Sequence, residues 1–115
     1  MTKRINAYHG SQQYFTEFSL EYAGKAHGLT WGDGIYFADD VSYAKRYAKG
    51  NGYLYKVTLE YEESDGSVIE KIVPFLNEQQ QIYIVRNPAV ITIEEIEGIG
   101  RKRRFSLWWL TTISN

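Results

Sequence analysis

Tyr8-His9-Gly10-Ser11 sets an imidazole, a position without a side chain and a hydroxyl side by side. An imidazole can hold or move a proton near neutral pH, a glycine lets a ligand or a second backbone approach, and a serine can hydrogen-bond a polar group. The tetrapeptide suits a small polar ligand. A lone histidine near a strand end is nevertheless more often structural than catalytic, so its partners have to decide. Tyr36 and Tyr47 lie eleven positions apart, one on a short apolar stretch and one in a helix-like stretch. A strand-to-helix corner could bring both rings over one cleft, where they would sandwich a flat ring. The same spacing also suits two rings that merely pack a helix on a sheet. Further on, Glu78, Gln80, Ile82 and Ile84 share one parity and would point the same way along a strand.

Other chemistries find little support. The chain has no cysteine, which excludes disulfides, thiolate nucleophiles and Cys-based zinc sites. No glycine fingerprint for a phosphate precedes a helix, and no metal-ligand cluster is spaced for zinc, so neither a Rossmann dehydrogenase nor a metal site is expected.

The elements that would position these residues follow from punctuation and periodicity. Arg4 to Tyr8 reads as a short strand that stops at His9-Gly10-Ser11. Tyr14, Phe15, Phe18 and Tyr22 fit one helical face, with Gly24 to end it. The glycine-rich stretch from Gly24 to Gly34, which contains His27, reads as loop, and Ile35 to Phe37 as a strand. Asp39 or Asp40 is placed to cap a helix carrying Val41, Ala44, Tyr47 and Ala48 on one side and ending before Gly50. Tyr53, Tyr55, Val57, Leu59 and Tyr61 recur with period two, the clearest strand signal in the chain. Asp65-Gly66 signals a hairpin, with Ser67 to Val73 returning and Pro74 closing the strand. Pro74 to Gln80 reads as loop, Gln81 to Asn87 as a strand and Val90 to Ile96 as another. The end, from Gly100 through Arg101-Lys102-Arg103-Arg104 to Trp108-Trp109, could be a last strand after a basic turn or a tail that docks on a partner.

Composition fits one folded domain. The chain has 115 residues, 43% of them apolar and 23% charged, with two prolines. We expect a single domain over 1–115 with a basic and aromatic segment at 98–115. A net charge of -1 gives no strong overall field for nucleic acid, although acids gather at Glu60, Glu62, Glu63 and Asp65 and bases at Arg101 to Arg104. No apolar run approaches the roughly 18 residues that cross a bilayer, which points to a cytoplasmic protein with no membrane partner. Aromatic residues make up 16% of the chain, ten of them tyrosines, a composition that suits wet pockets as well as cores. Two short helices followed by a strand-rich half indicate an α+β fold around antiparallel sheet.

In order and composition, Tyr8-His9-Gly10-Ser11, then the block from Gly32 to Ala48, then Gln80 to Val85 resembles the ADP-ribosyltransferase fold of the diphtheria-toxin and poly(ADP-ribose) polymerase type. Its marks are a histidine, a tyrosine and a late glutamate. The likeness runs from about Tyr8 to Ile93 and implies a split antiparallel sheet with two short helices around an NAD cleft. It implies that His9 bonds the adenosine ribose, that Gly10 grips the nicotinamide amide through its backbone, and that Ser11 helps near the ribose. Gly34, Tyr36, Phe37 and Ala38 would form pocket wall, with Tyr36 and Tyr47 flanking nicotinamide and Tyr47 stacking on it.

Two positions depart from that pattern. Ala44 stands where many relatives carry a serine that bonds the nicotinamide amide, and Ile82 stands where the glutamate precedes Tyr-Ile-Val. With His9 and Tyr36, Gln80 and Glu78 are then the candidates for catalytic work, Gln80 at a position where some relatives select the acceptor. The resemblance implies a small bacterial or phage effector or toxin that uses NAD to transfer a single ADP-ribose to a protein or nucleic acid. The alternative is an inactive relative that holds NAD or ADP-ribose or blocks a partner protein.

Overall fold

The computed structural model describes residues 1–20 and 34–100. His27, most of the glycine-rich loop and the Arg101 to Asn115 segment lie outside the described residues. The elements run β1 (Thr2–Ser11), β2 (Ile35–Ala38), α1 (Val41–Ala48), β3 (Tyr53–Glu62), β4 (Val68–Phe75), β5 (Glu78–Val85), a 3₁₀ turn (Pro88–Val90) and β6 (Ile91–Gly98). They form one antiparallel sheet in the order β4-β5-β2-β1-β3-β6. Among the described residues there is one α-helix, so the α+β expectation stands with one helix in place of two.

The sheet is nearly cut in half. β1 runs along β3 from Thr2↔Glu62 to Ser11↔Tyr53, whereas β1 meets β2 only at Tyr8↔Ala38. The two three-stranded halves turn their apolar faces toward each other, and both supply the interior: Ala7, Tyr55, Val57, Leu59 and Tyr61 from one half, Ile35, Phe37, Val68, Tyr83 and Val85 from the other. The period-two pattern of β3 thus reads out as the buried side of a sheet packed on a sheet. Polar links bind the halves at the rim, where Lys3 Nζ and the Tyr61 hydroxyl both lie 2.5 Å from Glu70 Oε2. The acids expected to form a local patch are absorbed by β1: Arg4 faces Glu60, Lys3 faces Glu63, and the amino terminus meets Glu62.

Several boundaries differ from the sequence reading for identifiable reasons. Residues 12–19 form bends and irregular backbone where the first part of a helix was expected, and Tyr22 and Gly24 of that expected helix lie outside the described residues. The Tyr55 hydroxyl accepts from the Phe15 N–H at 2.7 Å and donates to the Phe15 carbonyl at 2.9 Å, and the two rings stack at 4.4 Å. A tertiary anchor therefore takes the backbone groups that a helix would use. Asp65-Gly66 does make a turn, with Ser67 N–H on Asp65 Oδ1 at 2.8 Å, but β3 and β4 are not hydrogen-bonded neighbours. The turn carries the chain from one half to the other. Pro74 lies inside β4, which an edge strand tolerates because its missing N–H can face away from the ladder. The expected loop before β5 shrinks to Leu76-Asn77, with Leu76 at φ 58°, between Phe75 and its register partner Glu78. Likewise β1 continues through His9, Gly10 and Ser11, and β6 runs two residues past Ile96.

Helix α1 starts as its sequence dictates. Asp40 Oδ1 accepts from Ser42 N–H at 3.2 Å, which satisfies one of the free donors of the first turn. It ends at Lys49, at φ 52°, whose N–H bonds the Lys45 carbonyl, one residue before the expected glycine. Its buried side carries Tyr43, Ala44 and Ala48, with Tyr47 half-buried beside them.

Candidate functional site

The cleft is a consequence of the split. Past Tyr8↔Ala38 the strands β1 and β2 have no further ladder pairs, and His9 bridges the gap with Nδ1 2.7 Å from the Tyr36 carbonyl oxygen. A carbonyl can only accept, so Nδ1 carries the proton and a neutral ring keeps Nε2 as its acceptor nitrogen. Phe15, Phe18, Phe37 and Tyr55 surround the imidazole with ring centroids 5.1–6.3 Å away. The ring is thus oriented by one hydrogen bond and an aromatic collar.

Helix α1 covers the other side of β1. A Cβ on Gly10 would stand 1.9 Å from the Ala44 carbonyl oxygen and 2.9 Å from the Ala48 nitrogen. The close approach for which Gly10 is needed is therefore that of a second backbone. It brings α1 down over the split and leaves a shallow, open cleft lined by Tyr8, His9, Gly10, Tyr36, Phe37, Ala38, Tyr43, Ala44, Tyr47 and Ile82.

The cleft wall is aromatic and apolar. Tyr43 and Tyr47 lie one helical turn apart, with ring centroids at 5.7 Å and the two hydroxyls in hydrogen-bond contact at 3.4 Å. Tyr43 also sets its edge against Phe75 at 4.9 Å, and Arg46 lies over the Phe75 ring at 5.1 Å. Burial first, and then the Tyr47 hydrogen bond, push the Tyr43 phenol well above its ordinary pKa, so it stays protonated at any physiological pH. Opposite, Ile82 pairs with Ala38 in the β2–β5 ladder and is 1% exposed. The position where the resemblance would place an acid faces the cleft and holds a hydrocarbon.

Of the residues singled out from the sequence, His9, Gly10, Tyr36, Phe37, Ala38 and Tyr47 converge on this cleft. Four others do not line it. The Ser11 hydroxyl accepts from Gln13 N–H at 3.0 Å and closes a local turn. Gly34, at φ 148°, is a packing glycine: a Cβ there would stand 2.5 Å from Ile84 Cγ2. Gln80 is buried with its amide donating to Asp39 Oδ1 at 2.6 Å, and Glu78 is exposed at the start of β5. Tyr8 and Tyr43 line the cleft without having been singled out. The i, i+4 spacing of Tyr43 and Tyr47 was the available signal for the latter.

Among the described residues no group of three or more His, Asp or Glu side chains is arranged to hold a metal ion, and no helix is long and apolar enough to cross a membrane. A family model described as ADP-ribosyltransferase in polyvalent proteins matches residues 3–102. Neither a curated protein nor a solved structure matches the chain.

Proposed function

The chain belongs to the family of ADP-ribosyltransferases in polyvalent proteins, and on that premise we propose that it binds NAD under α1 and transfers a single ADP-ribose to a protein or nucleic acid. The observation that carries this reading is the convergence of His9, Gly10, Tyr36 and Tyr47 on one cleft at the split of the sheet. In this reading nicotinamide lies against Tyr47, where an electron-poor pyridinium on a phenol ring is favoured by about 1 kcal/mol. The edge of β1 beyond Tyr8, which β2 does not pair, offers Gly10 backbone groups to the amide. His9, fixed by the Tyr36 carbonyl, reaches the adenosine ribose.

Transfer breaks the bond between the ribose C1′ and the pyridinium nitrogen, whose electron pair leaves with neutral nicotinamide. An acceptor nucleophile then bonds C1′ and gives up its proton. The positive charge that develops on the sugar is ordinarily stabilised by a nearby acid. Ile82 supplies none, so positioning by the aromatic walls carries more of the catalysis and the acceptor brings its own charge. Gln80 and Glu78, both on β5 and outside the cleft lining, are assigned to the acceptor side of the reaction. Chain elongation into a polymer does not fit this site.

The apolar Ile82 favours a second reading, an NAD-binding module without turnover. Incubation with labelled NAD and a cell lysate separates the two. Label on a macromolecule together with free nicotinamide supports the transferase, whereas bound but intact NAD supports the module. In either case Tyr47→Ala should weaken NAD binding about fivefold or more in a calorimeter. Unchanged affinity would remove nicotinamide from α1 and with it this placement of the site.

A further inference from the structure

The two edges of the sheet are finished differently. β6 carries Glu94, Glu95 and Glu97 and shifts register against β3 between Lys56 and Val57, two features that discourage a further strand from adding. β4 pairs with β5 without a shift from Val68↔Val85 to Phe75↔Glu78, and it exposes Ile69 and, at 60%, Ile72. The Arg86 N–H bonds the carbonyl of Ser67, which stands opposite it, at 2.7 Å, and antiparallel bonding alternates along a strand, so the odd-numbered residues of β4 face β5. Val68, Glu70 and Ile72 therefore turn their N–H and C=O groups outward, where no strand meets them among the described residues. Pro74 shares their parity, which is why its missing N–H takes nothing from the ladder.

We propose that β4 is a docking strand for an extended peptide of a partner protein in which acidic and apolar side chains alternate. The outward backbone groups bond the peptide main chain, as in other strand additions. Charge decides the rest of its chemistry. Lys3, Arg4 and Lys56 are each ion-paired with a glutamate, whereas Lys71 is exposed and has no ion pair among the described residues. Across the ladder Lys71 faces the hydrocarbon of Ile82, so an acid can reach it only from the open edge. An acidic side chain on the incoming strand, opposite Lys71 or diagonal to it, completes the pair. The next peptide side chain points to the other face, beside Ile72, and an apolar group there covers what is exposed. A second copy of β4 fits worse. Pairing the strand with itself about a two-fold axis sets residues of one face opposite each other, and the registers that use most of the strand bring Lys71 onto Lys71, Glu70 onto Glu70, or Pro74 into a position that needs an N–H.

The test titrates a short peptide of alternating valine and glutamate, and a second with lysine in place of glutamate, into isotope-labelled protein followed by NMR. No NAD is present, so the outcome is independent of the transferase reading. The glutamate peptide should bind, shift the Glu70 and Ile72 amides more than those of Ile69 and Lys71, and slow the exchange of those two amides with solvent. Lys71→Gln should weaken it about threefold, the effect of one partly exposed ion pair. Ile72→Pro removes an outward N–H at a position of the same parity as Pro74, so the melting temperature should be nearly kept while binding is lost. If the lysine peptide binds as well as the glutamate one, or if Lys71→Gln changes nothing, the acidic occupant is wrong and the proposal falls. It falls also if neither peptide moves the β4 amides, or if the free protein sediments as a dimer that Ile72→Pro dissociates.

Discussion

Tyrosines serve opposite purposes on the two sides of this sheet. Between the packed halves, Tyr55 and Tyr61 have their hydroxyls engaged, one on the Phe15 backbone and one on Glu70, and nothing is left for a ligand. Under α1, the Tyr43 and Tyr47 hydroxyls bond to each other at the wall of the cleft. Ring burial does not distinguish the two sets, since Tyr43 is 8% exposed and Tyr61 4%. What distinguishes them is where the hydroxyl hydrogen bonds go. A tyrosine whose polar tip is tied to backbone or to a carboxylate of another strand holds the fold together, and one whose hydroxyl meets a neighbouring hydroxyl at a cleft is placed for recognition.

The comparison breaks most readily at Gly10, where the two sides are only a backbone apart. Gly10→Ala drives a methyl group into the Ala44 carbonyl, so α1 must lift off β1. We expect a large loss of stability, about 3 kcal/mol, seen as a lower urea midpoint, together with loss of the cleft. Wild-type stability in this variant would mean that α1 does not rest directly on the β1 backbone. Tyr55→Phe comes next. It leaves the Phe15 N–H and carbonyl without their partner and should cost about 2 kcal/mol, while leaving ligand affinity much less affected than Tyr47→Ala does.

Tyr55 also predicts an alkaline limb. Burial, against a smaller opposing effect of its backbone hydrogen bond, raises its pKa to about 12. Between the ordinary tyrosine value near 10 and that figure the folded state holds a proton that the unfolded state has released. Stability must then fall as pH rises through this window, and Tyr55→Phe should flatten that part of the curve. An equally steep fall in the variant would assign the limb to other groups.

How much of this was legible in the sequence depended on range. Period two in β3 and the Asp40 cap are set by neighbouring residues, and both appear in the structure as the sequence implies. Tyr36 and Tyr47 were legible as a pair because a strand followed directly by a helix leaves few ways to separate them. The segment after Ser11 was not, because its helical spacing of aromatics is overridden by a hydroxyl forty residues away, that of Tyr55. Asp65-Gly66 was read correctly as a turn and incorrectly as a hairpin, since the same local signal serves a chain that crosses between stacked sheets. Tyr43 is legible only as the i, i+4 neighbour of Tyr47, since its place on the cleft wall depends on how closely α1 settles over Gly10.

The smallest expected effect sharpens the comparison from the interior side. Glu70 is held below the usual carboxylate range first by its hydrogen bond to Lys3 and then by that to Tyr61. A carboxylate lowered in this way stabilises the fold above its unfolded pKa and loses that contribution as pH falls through its folded pKa. Tyr61→Phe removes the second cause and leaves the first. The Glu70 titration, followed by NMR, should therefore move up toward the ordinary value without reaching it, and the acid limb of stability should become shallower. NAD affinity should not change, because Tyr61 lies on the face away from the cleft. A loss of affinity as large as that expected for Tyr47→Ala would mean that tyrosines on the two sides of the sheet are coupled, and that the partners of the polar tip do not separate structure from site.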